Sequence, residues 1–243
     1  MTLRSDLRSP TDLSNLEIDE MFELMSRHYQ NTSRAAFVAD LREKQWVIEL
    51  RDNTTGTLCG FSTQKLINTQ LDGVKRSALF SGDTIVDREY WGSPLLALAW
   101  GKLAIRIIEQ HQDHELYWFL ICKGFRTYRF LSVFFEEFTP CWNRETSVQN
   151  QRILDAFALD KFGSRYDSTK GVLSAAEQDY RIKPEVDLLS PGRRDPHVAY
   201  FLERNPGYLH GDELCCLAPL NLSNFSRAAK RLMDTDAFKR LES

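Results

Sequence analysis

The chain has no apolar run approaching the roughly 20 residues that a bilayer-spanning helix needs. Its opening, MTLRSDLRSPTDL, carries no apolar signal core. Charge of one sign is also missing: 31 basic against 34 acidic residues leave a net charge of −3, which supplies no electrostatic drive toward nucleic acid or anionic membranes. Cysteine is scarce and unpatterned. Cys59, Cys122, Cys141, Cys215 and Cys216 are odd in number and form no C-x-x-C, and the last two are neighbours that a strand would turn to opposite faces. That excludes a disulfide framework and fits reduced thiols, so a cytoplasmic protein is expected. Internal repeats, low-complexity segments, a Gly-x-Ser-x-Gly elbow, a Walker loop and a paired Cys/His spacing are all lacking.

What is present is material for a core. Apolar residues make up 42% of the chain and aromatics 12%, which argues for a folded protein. A short strand is expected at residues 3–7. Ser14 then caps a helix in which Ile18, Met21, Phe22, Met25 and Tyr29 recur at helical spacing, and a second short helix carries Phe37, Val38 and Leu41. Residues 45–51, 57–71 and 74–86 read as three antiparallel strands joined at NTTG (53–56) and at Asp72-Gly73. A helix from Pro94 to about Gln110, a strongly apolar strand at 116–122 and an aromatic-rich helix from about Arg126 to Phe138 follow. Farther on come a helix at 147–162, loops at 190–196 (SPGRRDP) and 205–211 (NPGYLHG), a late strand at 212–220 and a capped helix at 223–233. A meander that turns into a βαβ crossover makes a mixed sheet, with ligand space where its strands splay.

The segment from Ser77 to Ile108 is the richest in chemistry. An alternating strand, SALFSGDTIV, passes through DREYWGSP into an apolar-periodic helix. A helix start offers unpaired N–H groups and a positive dipole end to an anion, and Gly92 admits a ligand close to the backbone. Asp83 is the one carboxylate inside the strand. Leu79, Ser81, Asp83 and Ile85 would share a face, and Asp83 would either serve as a general base or cap a bulge at Gly82 or pair with a nearby arginine.

Val86 to Gly92 (VDREYWG) resembles the V-x-P-E-Y-R-G turn of the GNAT superfamily of acyl-CoA-dependent N-acyltransferases, and the element order over residues 1–140 is similar to theirs. The resemblance implies an α/β (mixed α+β) fold with a central mixed, mostly antiparallel sheet flanked by helices. Residues 1–140 would be the core, 141–210 a subfamily-specific insertion or lid, and 211–243 a late strand and C-terminal helix packing back on the core. It implies direct transfer of an acyl group to an amine, on a small molecule or a peptide, with no metal. Asp83 would take the amine proton, the strand backbone at Thr84, Ile85 and Val86 would hold the pantetheine, and Trp91, Gly92, Ser93, Pro94 and Leu95 would face the phosphates.

The phosphate turn departs from the family pattern Q/R-x-x-G-x-G/A. Glu89 would repel a pyrophosphate, and Pro94 deletes one N–H from the cradle. The acyl donor is therefore acyl-CoA or an acyl-phosphopantetheine on a carrier protein, and a GNAT-like binding module without activity is the alternative. Lys123, Arg126 and Arg129 in KGFRTYRF would meet donor phosphates or an acidic carrier. The same stretch partly matches an RNA-recognition octamer but lies after the strand instead of within it. Leu131 stands where the superfamily usually has its general-acid tyrosine, and Tyr128, one turn earlier, is the substitute. Phe130, Phe134, Phe135 and Phe138 suit a core or, less readily, an acyl-chain pocket. His111-x-Asp113-His114 lacks a further ligand at metal spacing.

Overall fold

The computed structural model describes residues 3–176, 179–183 and 195–240. Its sequence begins with β1 (Leu3–Arg8), α1 (Asn15–His28), the two-residue β2 (Tyr29–Gln30) and α2 (Arg34–Arg42). Ser14 caps α1 reciprocally with Glu17, a capping box that satisfies two otherwise orphaned donors. The meander follows as β3 (Trp46–Asp52), β4 (Leu58–Leu71) and β5 (Val74–Val86). The β4–β5 hairpin turns at Asp72 and Gly73, both at positive φ (54° and 76°), as a two-residue turn matching the strand twist requires. Next come α3 (Leu95–Gln110), β6 (Glu115–Cys122), α4 (Phe125–Phe134), α5 (Val148–Phe162), β7 (Tyr166–Asp167), β8 (Val172–Leu173) and β9 (Arg181–Ile182). α6 (Pro196–Arg204), β10 (Glu213–Pro219), α7 (Arg227–Met233) and α8 (Asp236–Arg240) close the described chain.

Eight strands form one sheet in the order β1-β3-β4-β5-β6-β10-β8-β7, antiparallel except for the parallel pair β5–β6; β2 and β9 pair separately. Helices cover both faces. On one, α3, α4, α6 and α7 bury Trp100, Leu103, Tyr128, Phe201 and Ala229 against Leu79, Trp118 and Cys216. On the other, α1 and α2 pack Met21, Leu24 and Phe37 on Phe61 and Ile85, while α5 packs Phe157 on Phe80 and Phe119. Cys215 and Cys216 do face opposite ways, one in each layer, and all five thiols are free. The expected late strand runs antiparallel to β6 from Leu214↔Cys122 to Pro219↔Tyr117.

Two expectations need correction. The aromatic helix stops at Phe134, because Phe135 is extended and bridges Phe225 while Glu136 N–H bonds Asn224 O, diverting the backbone from the helix. Residues 195–204 hold a helix that the loop reading at 190–196 did not include; Asp195 caps it and Pro196 opens it. The rest of that loop, 190–194, lies outside the described residues. Region 141–210 meets the rest of the fold at several places. Its α5 covers a sheet face, β7 and β8 extend the sheet, and β9 pairs with β2. No helix of the described residues is long and apolar enough to cross a membrane.

Candidate active site

The site arises where the parallel strands part. Pairing of β5 with β6 runs from Arg76↔Glu115 to Ser81↔Leu120 and stops, although β5 continues to Val86 against β4 and β6 to Cys122 against β10. At the same point β5 bulges. Ser62 pairs with Thr84 and Gln64 with Ser81, so Thr63 alone opposes both Gly82 and Asp83. A Cβ at Gly82 would lie 2.7 Å from Thr63 Oγ1 and 2.8 Å from Lys44 Cε, so a side chain there would have to displace both. Hydrogen bonds brace the bulge: Trp118 Nε1 donates to Ser81 Oγ (2.8 Å), Ser81 to Gln64 Oε1 (2.6 Å), and Gln64 Nε2 to Ser62 Oγ (2.7 Å), which bonds Thr84 Oγ1 (2.7 Å).

The extra residue resets the alternation, so the expectation that Leu79, Ser81, Asp83 and Ile85 share a face fails. Leu79 and Ser81 stay on the α3 side, where Ser81 meets Trp118, whereas Ile85 packs with α1 and α2. Asp83 enters a cavity on that second side with Lys44, Phe80 and Tyr180.

Two cavities meet at the parting. The first, about 450 Å³, is lined by Thr84, Ile85 and Val86 of β5, by Trp91 and Ser93 of the turn, and by Leu96 and Ala97 of α3. Residues 124–127 and Ile182 of β9 complete it. Asp87 N–H bonds Cys59 O on the β4 side while Val86 O accepts Trp91 Nε1 (2.8 Å) on the other. By strand alternation the backbone groups of Thr84 therefore face the opened edge. Leu98 N–H makes the first helical bond of α3, to Pro94 O, which leaves the N–H groups of Leu96 and Ala97 without a helical partner at the groove wall. The Arg126 guanidinium lies 4.4 Å above the Trp91 ring and that of Arg88 5.6 Å from it.

The second cavity, about 300 Å³, holds Asp83 and shares Tyr29, Thr84 and Thr127 with the first. Tyr180, brought in by the chain leading to β9, donates its hydroxyl to Asp83 Oδ1 and stands edge-on to Tyr29 at 4.9 Å. Burial pushes the Asp83 carboxyl up to about 6, and the nearby Asp40 carboxylate and Glu213 add to the rise, while the Tyr180 hydrogen bond and Lys44 oppose it. Burial likewise holds the Tyr180 hydroxyl well above its ordinary range, so it remains a donor. A third, smaller space of about 40 Å³ opens beside Thr84 and Thr127, walled by Leu96, Trp100, Trp118, Phe130 and Phe134.

The structure brings Thr84, Ile85, Val86, Trp91, Ser93 and Arg126 together around one groove. Gly92 and Pro94 are exposed on the turn beside it and Leu95 begins α3; Glu89 is exposed and does not line it. Lys123 lies elsewhere: it is buried in the second cavity, donating to Glu213 Oε1 (2.9 Å) and Gly211 O (3.3 Å), 4.4 Å from the Tyr180 ring. Arg129 lines the groove and pairs with Asp195 (3.1 Å). Tyr128 stands apart from both cavities. It is fully buried among Phe138, Tyr200 and Phe201 and donates to Pro140 O (2.9 Å), because α6 packs over the helix face it occupies. Leu131 is core, as are Phe135 and Phe138, but Phe130 and Phe134 wall the small space.

A large, mostly antiparallel mixed sheet flanked by helices is the architecture that the sequence resemblance implies. The fold is GNAT-like. No family model and no curated protein matches the chain. Among solved structures it is similar to a conserved protein of Enterococcus faecalis V583 described as a probable N-acyltransferase, at 16% identity and a TM-score of 0.43, over 57% of this chain and 33% of that one. The chain thus spans a third of that protein's length. It is also similar to a GNAT family N-acetyltransferase of Escherichia coli in complex with CoA (18% identity, TM-score 0.38, over 54% of this chain and 69% of that one). A ribosomal-protein-alanine N-acetyltransferase of Brucella melitensis biovar Abortus 2308 gives 14% identity and a TM-score of 0.38, over 54% and 89%.

Proposed function

We propose that the chain is an N-acyltransferase that moves an acyl group from a pantetheine thioester, acyl-CoA or an acyl carrier protein, directly onto an amine. The observation that carries this reading is the position of Asp83: a carboxylate with a raised pKa lines one of two cavities that join at the splayed end of a parallel strand pair. Such a base is matched to an amine near neutral pH. The donor occupies the larger cavity. Its pantetheine runs along the opened β5 edge at Thr84 to Val86, and its phosphates meet the free N–H groups of α3 and the Arg126 guanidinium. The acyl group enters the space walled by Phe130 and Phe134, whose size suits a short chain.

The acceptor amine reaches the thioester from the second cavity. Its nitrogen attacks the carbonyl carbon and the new C–N bond forms as an amine proton passes to Asp83, directly or through one water. The tetrahedral adduct then expels the donor thiolate, breaking C–S, and the thiolate takes up a proton from water while Asp83 returns its own to solvent. Tyr180 holds Asp83 by its hydroxyl throughout. Tyr128 takes no part, since its hydroxyl is committed to Pro140 O. Pro94 removes an N–H only where the chain is exposed, outside the groove lining.

Thermal unfolding with CoA, acetyl-CoA and longer acyl-CoAs tests the donor site: a clear rise in Tm is expected with CoA-type ligands. Amine-dependent CoA release that Asp83→Asn lowers by about two to four orders of magnitude tests the base. Absence of a shift with every thioester, carrier-bound ones included, would favour a binding module without activity.

A further inference from the structure

The acceptor-side cavity is unusually charged, and its charges pair off with one remainder of each sign. Lys44 meets Asp40 at 2.5 Å, Lys123 meets Glu213 at 2.9 Å, and Arg165 pairs with Asp179. Asp83 and Lys161 are left over. Asp83 accepts only the neutral Tyr180 hydroxyl. Lys161, on α5, has no carboxylate within 4.0 Å and makes no hydrogen bond among the described residues. Its ammonium rests 4.5 Å from the Phe80 ring and 5.3 Å from that of Phe162. A half-buried ammonium held only by ring faces is electrostatically unsatisfied, and burial accordingly lowers its pKa.

The two remainders have different neighbours, Asp83 the Tyr180 hydroxyl and Lys161 the Phe80 and Phe162 rings, and no ion pair joins them although both line the cavity. The cavity therefore presents a negative and a positive site at separate places in about 300 Å³, the lower end of the range for small-ligand sites. Its other charges cancel. A ligand complementary to it has an amine at one end and one negative charge at the other.

We propose that the acceptor is a small amine that carries a carboxylate, placed with its nitrogen at Asp83 and its carboxylate at Lys161. This rests on the N-acyltransferase reading and adds the acceptor's chemical class to it. Lys44 and Lys65 act on Lys161 as nearby positive charges and Asp40 and Glu43 as negative ones, so Lys161 leaves one uncompensated positive charge there, which suits a single carboxylate. Phe80, lying under Lys161 and lining the cavity with Asp83, provides an apolar surface for the stem joining the two groups.

The test uses the full chain, acetyl-CoA as donor, and amines matched in length: leucine and leucinamide, 5-aminopentanoate and cadaverine, with phosphoethanolamine as the phosphate probe. CoA release and the mass of the product are read. The carboxylated member of at least one pair should be acylated at least about tenfold more efficiently in kcat/KM, the scale of one charge-assisted hydrogen bond. Lys161→Met should raise KM for that acceptor about ten- to hundredfold with little change in kcat, and leave leucinamide, whose far end is neutral, unaffected. Lys161→Glu should turn the preference toward cadaverine. A CoA-induced Tm rise in both variants shows that they fold with an intact donor site.

Preference of the wild type for leucinamide, cadaverine or phosphoethanolamine, or an equal effect of Lys161→Met on every amine, overturns the acceptor class. If those amines are still acylated in an Asp83-dependent way, the N-acyltransferase reading stands without it. Acylation of no amine, together with no Tm response to CoA, overturns both.

Discussion

Replacing Asp83 by asparagine should stabilise the protein while disabling it, and the gain should depend on pH. The carboxyl rises from an ordinary 3.8 to about 6 in the fold, so between those values the folded state binds a proton that the unfolded state has released. By linkage the wild type then loses stability as pH rises through this window: the cost is absent below about pH 4 and complete above about pH 6. Roughly two units at about 1.36 kcal/mol each set a ceiling near 3 kcal/mol. Water entry and local relaxation lower it to about 1–2 kcal/mol. Asparagine carries no charge to desolvate and its side-chain oxygen still accepts the Tyr180 hydroxyl, so Asp83→Asn escapes the cost. For a chain of this length about 1–2 kcal/mol corresponds to a Tm rise of about 2–8 °C. Paired thermal melts of wild type and variant at pH 4, 5, 6.5 and 8, alongside turnover at pH 8, make the measurement. A variant no more stable than wild type at pH 8, or one whose advantage is the same at pH 4, would refute the account of Asp83 as a buried, strained carboxylate and mark it as an ordinary structural one.

Turnover by the wild type should climb with a slope near one in log kcat/KM below about pH 6 and level off above it, and Tyr180→Phe should move that break to higher pH, since the Tyr180 hydrogen bond lowers the Asp83 pKa. An unmoved break would remove Tyr180 from the site. Tyr128→Phe should keep near-wild-type turnover and cost about 1–2 kcal/mol in a denaturant melt, because it leaves the buried Pro140 carbonyl without its donor; a hundredfold loss of kcat would restore Tyr128 as the acid. Donors ending at phosphopantetheine should serve about as well as the matching acyl-CoA, given a turn that keeps Gly92 but carries Glu89 and Pro94 against the family pattern, and a strong preference for CoA that is lost with its adenosine or 3′-phosphate would show that the turn grips the nucleotide.

Most of the scaffold was legible because its signals are local. The capping box at Ser14, the Asp72-Gly73 turn and the apolar run of β6 each specify their element from neighbouring residues. The larger groove was legible for the same reason: Thr84 to Val86, Trp91 and Ser93 are close in sequence, and a strand passing into a helix brings them together. What escaped the sequence depends on residues distant along the chain. Tyr180 reaches Asp83 across 97 positions through a two-residue strand with no periodicity of its own. Lys161 reads as an ordinary charge near the end of a helix until β5 is placed beneath it. The burial of Tyr128 escapes the sequence because helix α6, which covers it, gives no clear signal there. The face error at Asp83 had a visible cause, Gly82, but only pairing with β4 shows that two residues there oppose one.

The short pairing of β9 with β2 has a thermodynamic consequence. Tyr180 touches the acceptor side and Ile182, two residues on, lines the donor groove, while β2 itself supplies Tyr29 to both. If donor and acceptor bind as proposed, a ligand that steadies this strand from one side prepares it for the other, and the two co-substrates share one ordering cost. Any tightening of the acceptor by the bound donor must then equal the tightening of the donor by the acceptor, because the two are a single coupling free energy. Binding synergy between the substrates thus becomes a property of a few residues of backbone far from the thioester-binding motif.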